Sequence, residues 1–363
     1  MNLYLALVVL LALTAQFSFF IEKKYSQINY VLWVTIFIVI VLFVGLRFNS
    51  VDYFSYYELY HRQGFFHFGF PFYTGAGQTT GNEFLFASLV SLFRYFNASF
   101  YYFVFFFAFV SLSVKFYVFF KYSKYFFLSF FIYFCLLISK DLGQIRLAAT
   151  FGFIGLAAIS SEKREFWKFV FYIFIAAAIQ AASVIFIPLY VFYSLFKIKI
   201  FRYIYLLVCI LLYKLEIVST VLLRLSGLSD NLLLQKFESY YALQSGMNVG
   251  FNFFNIVITV FGLFLLLIVD RGARLGIRFF EGFVCLYSYS VGLYWVFLAV
   301  PTISSRILEA GALFSLSMIL PYLLGFLKGR LEKFLIFNVV VMIFLVYFLF
   351  FSLENINAYE SIL

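Results

Sequence analysis

Arg47 and Asp52 stand five residues apart in Gly45-Leu46-Arg47-Phe48-Asn49-Ser50-Val51-Asp52-Tyr53-Phe54-Ser55-Tyr56, just past an apolar run. A guanidinium holds phosphate oxygens through two parallel N–H donors. A carboxylate beside it can take the proton of an attacking hydroxyl. Two more arginines open later apolar runs: Arg146 in Lys140-Asp141-Leu142-Gly143-Gln144-Ile145-Arg146 and Arg306 in Pro301-Thr302-Ile303-Ser304-Ser305-Arg306. Gathered at one membrane surface, the three would form an anion clamp; singly, each reads as an interfacial anchor that snorkels or pairs locally.

Carboxylates accompany them. Glu83 opens the short apolar run 83–96, where a helix N-terminus favours its ionised form. Glu309 follows Arg306 at i+3, so a local ion pair is expected there. Asp141 can pair with Lys140 beside it. Asp52 and Glu83 have no comparable local partner, although Asp52 could reach back to Arg47, and they are the better general-base candidates. Gln180 lies in Ala176-Ala177-Ala178-Ile179-Gln180-Ala181-Ala182-Ser183-Val184-Ile185-Phe186-Ile187-Pro188, where small residues allow close helix approach. Its amide either satisfies backbone at the corner or bonds a ligand. His61 and His67, six apart, do not share a helical face, so no metal site is expected. The chain has no Walker loop, GxGxxG, paired-cysteine motif or serine elbow.

Hydrophobic residues make up 65% of the 363 and charged ones 12%, with mean hydropathy +1.03, a composition outside the soluble range. A bilayer core takes about 20 apolar residues per helical span. An all-α polytopic membrane protein follows, a single transmembrane domain over 1–363. Its expected spans are 3–21, 28–46, 98–120, 125–139, 145–161, 166–180, 181–196, 203–221, 251–269, 279–300, 307–327 and 334–352, twelve in all. The run 83–96, interrupted by Arg94, is read as re-entrant or interfacial. With this arrangement sixteen Lys and Arg fall in one set of short loops and eight in the opposite set, the positive-inside pattern. Counting 83–96 as a crossing would scatter the lysines. The outward side then carries the long loops 47–82 and 222–250, the three arginines and both termini.

The net charge of +10 is explained by those loops rather than by nucleic acid. Cys135, Cys209 and Cys285 lie inside apolar runs and read as buried thiols. The run from Leu3 to Ile21 lacks a basic leader and a cleavage site, and reads as a retained first span. Gly64, Gly69, Pro71, Gly75, Gly77 and Gly81 break the first outward loop into turns, and its many aromatics favour the headgroup layer. In the second, Ser226-Gly227-Leu228-Ser229-Asp230 reads as a turn and N-cap for a helix over 231–241. The 58 Phe and 29 Tyr follow AT-rich codon usage and carry no functional reading. No internal repeat is evident, which counts against an inverted-repeat transporter.

Taken in order, these features resemble the EpsG-like branch of the Wzy O-antigen and exopolysaccharide polymerases. The resemblance is carried by Gly45-Leu46-Arg47 with Asp52 and Tyr56, the acid-led Asn82-Glu83-Phe84-Leu85-Phe86, Gln144-Ile145-Arg146-Leu147-Ala148-Ala149, the small-residue corner ending at Pro188, and Ser305-Arg306-Ile307. It implies a GT-C-like, metal-independent glycosyltransferase of the bacterial inner membrane with its active face in the periplasm and no cofactor. Such enzymes move a glycan from one undecaprenyl-pyrophosphate carrier onto a second lipid-linked repeat unit, and a chain-length regulator is a candidate partner. Arg47, Arg146, Arg306, Gln180 and Tyr56 would then bind substrate or pyrophosphate, with Asp52, Glu83 and Asp141 as catalytic carboxylates. Relatives carry a histidine before the small-residue corner where this chain has Gln180. A histidine-dependent role is therefore not carried over, and any base is a carboxylate or the substrate's own phosphate.

Two rivals stand beside this reading. A lipid-linked oligosaccharide flippase or other transporter needs polar groups near the bilayer midplane; Lys115, Lys214, Glu216 and Glu281 fall near ends or loops in the spans above, which leans toward surface chemistry. An O-antigen ligase uses the same donors and is not separated by sequence.

Overall fold

Inside hydrocarbon, a run of apolar residues can satisfy its own backbone N–H and C=O groups only as helix, and every regular element among the described residues is helical. The computed structural model describes residues 2–20, 27–48, 50, 52–62, 83–226, 232–244 and 252–353. In chain order the helices are α1 (Asn2–Phe20), α2 (Gln27–Gly45), α3 (Tyr53–Arg62), α4 (Phe84–Tyr95), α5 (Phe100–Tyr122), α6 (Phe126–Leu142), α7 (Ile145–Glu162), α8 (Phe166–Ile179) and α9 (Leu189–Phe196). They continue with α10 (Lys199–Lys214), α11 (Ile217–Ser226), α12 (Leu232–Gln244), α13 (Phe253–Arg274), α14 (Phe280–Val296), α15 (Pro301–Ile307), α16 (Phe314–Leu323) and α17 (Arg330–Tyr347). A 3-10 segment, Ala181–Phe186, precedes α9, and a π-helical turn, Leu308–Leu313, joins α15 to α16.

Among the described residues, seven helical stretches are long and apolar enough to cross a membrane, eight if the bent pair α10 and α11 counts as one. The sequence led to twelve. The difference lies in shorter elements: α6 and α14 have 17 residues each and α8 has 14. The expected straight span 203–221 is bent by 61° between α10 and α11. Glu216 there takes a left-handed φ of 52°, a conformation that ends a helix. At Gln180 the chain turns back as expected: Tyr190 Oη donates to the Arg164 carbonyl at 3.3 Å, and Arg164 Nη1 donates to Ser194 Oγ at 2.6 Å.

The helices fall into two units. The first (Met1–Ala157, Val170–Ile187, Leu316–Leu363) surrounds α6 with α1, α2, α5 and α17. Because α6 is apolar on every side it can be enclosed on every side, and almost all of its residues are buried. Phenylalanines fill the spaces between these helices. The Phe116 and Phe130 ring centroids lie 4.3 Å apart, with Trp33 4.4 Å from Phe116. The second unit (Ala158–Phe169, Pro188–Ser315) surrounds α14 in the same manner with α9, α10, α13 and α15. Glu162 caps α14 there, its carboxylate accepting the N–H groups of Phe279 at 3.0 Å and Gly282 at 2.7 Å.

Where van der Waals fit holds helices together, small residues set the approach. A Cβ on Gly152 of α7 would sit 2.7 Å from Val114 Cγ1 and 3.2 Å from the Lys115 backbone nitrogen on α5. Gly152→Val is therefore expected to destabilise the chain by about 1–3 kcal/mol, read as a lower unfolding temperature in detergent. An unchanged temperature would show that α5 and α7 do not need this fit.

Both of the loops that the sequence reading placed outward carry a helix. Part of 47–82, ahead of its glycines, is helix: α3 buries Tyr53, Tyr56 and Tyr60, spaced i, i+3, i+7 on one face. The helix expected over 231–241 is present as α12, Leu232–Gln244, and runs three residues further. The glycine-rich part of the first loop with His67, the turn at 227–231, Lys23 and Lys24, and the last ten residues lie outside the described residues.

Candidate functional site

The first three turns of α5 provide a ruler for the polar groups of the first unit. Gly45, the last residue of α2, is packed so tightly on Phe105 that a Cβ would come within 2.6 Å of its ring. This fixes the chain that turns out of α2 into Arg47. Phe86 of α4 packs against both Phe103 and Phe107, each centroid 5.5 Å away. Asp141, in the last turn of α6, is reached by Ser111 and Lys115. The groups thus line a stretch from Phe100 to Ser111, roughly 17 Å at 1.5 Å per residue.

Arg47 is 2% exposed, and its Nη1 donates to the Val44 carbonyl at 2.5 Å. Burial is the largest influence on its guanidinium and pushes it down to about 10; the negative charge of Asp141 is the largest opposing one. It remains a cation at neutral pH.

Arg146, in the first turn of α7, forms an ion pair with Glu83, the residue before α4. Its Cζ lies 5.5 Å from the Tyr56 ring centroid and 5.3 Å from that of Phe86, so the guanidinium rests between aromatic faces. Tyr56, Phe86, Ile145 and Ile179 belong to one buried cluster with Tyr53 and Tyr60. α3, α4, α7 and α8 therefore meet where Arg146 sits.

The three candidate carboxylates are not equivalent. Glu83 is committed to Arg146. Asp141 is held from α5 and from its own helix: Lys115 Nζ donates to its Oδ1 at 2.5 Å, Ser111 Oγ to the same oxygen at 3.1 Å, and the Tyr133 hydroxyl to Oδ2. Asp52, half-buried at the start of α3, makes no ion pair with any described residue, and it contributes to the field at Arg146.

Among the buried polar atoms at this site that bond no described group are these four: Arg47 Nε, Arg146 Nε, Ser50 Oγ and Gln144 Oε1. A buried polar atom left unsatisfied costs about 1–3 kcal/mol, so such atoms mark places where a partner is expected. Two of the four are cationic donors, and two are oxygens able to accept from hydroxyls.

Gln180 immediately follows Ile179 of the cluster and is 8% exposed. Its own N–H donates to the Ala176 carbonyl and its carbonyl accepts from Ser183 N–H, both at 2.9 Å. The corner therefore closes on backbone bonds, and the Gln180 amide makes no capping bond. Arg306 belongs to the second unit, where its Cζ lies 6.0 Å from the Tyr240 ring. Nearby, Gln244 Nε2 donates to Thr302 Oγ1 at 2.5 Å, and Thr302 N–H donates to Gln244 Oε1 at 3.2 Å, tying α12 to α15. Arg306 lies in the last turn of α15, and Glu309 lies in the π-helical turn that begins at Leu308.

A model of the EpsG family matches residues 30–361. The chain belongs to the EpsG family. No curated protein and no solved structure matches it. Every site residue named above falls within the EpsG match, including one that sequence reasoning passed over. Lys115 is fully buried inside α5, not near an end as the span 98–120 led us to place it. A lysine among apolar residues, with Ser111 one turn before it, was the available signal.

Proposed function

We propose that this EpsG-family membrane protein is a polysaccharide polymerase acting on lipid-linked glycans. The carrying observation is the set of unsatisfied buried atoms: arginine donors, with oxygens that can accept from hydroxyls, suit a sugar attached to a diphosphate. Arg47 and Arg146 would stabilise the diphosphate of the departing polyprenyl carrier as the bond to the anomeric carbon breaks. Arg306, in the second unit, is proposed to bind substrate by its own charge. Asp52, held by no ion pair to a described residue, would take the proton from the acceptor sugar hydroxyl as its oxygen bonds that carbon. Glu83 would hold Arg146, and Tyr56 and Gln180 would face sugar or phosphate.

In this reading the donor and acceptor are undecaprenyl-pyrophosphate-linked oligosaccharides such as O-antigen repeat units. The site opens to the periplasmic side of the bacterial inner membrane, where the energy comes from the donor itself. The fully buried Lys115–Asp141 pair supports a second reading, a lipid-linked oligosaccharide transporter, since ionisable pairs within spans often mark translocation paths.

Deleting the gene and examining the cell's polysaccharide on a gel separates them. A polymerase leaves a single repeat unit on the lipid A core in place of the ladder; loss of every repeat unit points to a transporter or ligase. An unchanged ladder would dismiss both.

A further inference from the structure

The geometry points to Lys115 as a positioning residue: with Ser111 and Tyr133 it pins the Asp141 carboxylate at the end of α6, and so fixes the corner that carries Gln144 and Arg146. Its consequence for binding rests on the anion-site reading above, whereas the positional claim stands on the packing alone.

Lys115 Nζ bonds Ser111 Oγ at 2.9 Å and Asp141 Oδ1 at 2.5 Å, and lies 5.1 Å from the Tyr133 ring and 5.5 Å from that of Phe151. The cluster therefore ties α5, α6 and α7 together at one point. Only Gly143 and Gln144 separate α6 from α7. Gly143 N–H donates to Ser139 O at 2.9 Å, and Ala148 N–H donates to Gln144 O at 3.0 Å, so the link belongs to helical hydrogen bonding on both sides. A displacement of Asp141 is thus passed to Arg146 five residues later with little slack. The same carboxylate projects negative charge toward Arg47, so both arginines depend on where it is held.

A buried ion pair is a poor device for stability, because an apolar pair of similar volume usually serves as well or better. That gives the test. The full-length chain in detergent is compared with Lys115→Met and with Lys115→Met/Asp141→Leu by thermal unfolding, hydrogen exchange over residues 139–148, and binding of inorganic pyrophosphate. The single variant is expected to lose stability through its unpaired carboxylate, and the double variant to regain it. The double variant should nonetheless exchange at least tenfold faster at the corner and bind pyrophosphate at least tenfold more weakly. A merely structural role predicts that the double variant recovers all three properties, and that result overturns the inference. If the wild type itself takes no pyrophosphate, the anion reading of the site fails. Faster corner exchange in the double variant would still support Lys115, and wild-type exchange would still refute it.

Discussion

Cells carrying Arg146→Ala together with Glu83→Gln are expected to make no long polymer, with the protein present at its normal level. The second substitution matters because Glu83 is 4% exposed. Removing Arg146 alone would strand a buried carboxylate at a cost of about 3–5 kcal/mol, and lost polymer could then reflect lost protein. Taking one preorganised donor from a developing oxyanion slows catalysis by roughly 10²–10³, enough to erase a ladder that needs many successive transfers. Arg146→Lys keeps the charge but gives up the planar fork and its seat between Tyr56 and Phe86. It should shorten the ladder and reduce the rate at least tenfold. Arg271→Ala, in the last turn of α13, should leave the ladder as it was. A normal ladder from the Arg146→Ala/Glu83→Gln pair would remove Arg146 from the site.

Asp52→Asn has the second largest expected effect, a fall in turnover of about 10²–10⁴ with binding of a polyprenyl diphosphate within twofold of wild type. The argument is one of availability. Glu83 is occupied by Arg146 and Asp141 by three donors, whereas Asp52 makes no ion pair with a described residue. Glu83→Gln should therefore weaken binding along with rate, since it loosens Arg146 rather than removing a base. In vitro transfer between lipid-linked units with separate titration of donor reads the two quantities apart. Wild-type turnover in Asp52→Asn would leave proton removal to the substrate's own phosphate.

These expectations were partly legible in the sequence. Arg47, Arg146, Glu83 and Tyr56 could be singled out because charge at the edge of an apolar run is costly and therefore rare. Their assembly could not, because it depends on α3 and α4 folding back beside α7. The periodicity of Tyr53, Tyr56 and Tyr60 is present in the sequence, but ten residues ahead of a glycine-rich stretch rarely advertise a helix. The Lys115–Asp141 pair was hidden for a different reason: its partners stand 26 residues apart on successive helices, and adjacency made Lys140 the more obvious companion. Helix length was overestimated at α14, where a run of apolar residues signals burial as well as bilayer contact. Gln180 was legible as a corner because alanines surround it; that the backbone closes this corner unaided was not.

The Lys115–Asp141 pair also constrains how the protein is made. Synthesis releases the ammonium of α5 well before the carboxylate of α6 exists. A lone lysine at the centre of a helix disfavours passage from the translocon into lipid by roughly 2.5–3.5 kcal/mol. α5 therefore gains by lingering at the insertion channel until α6 emerges, so that the two enter the bilayer as a neutralised couple and the corner leading to Arg146 is set at the moment of integration.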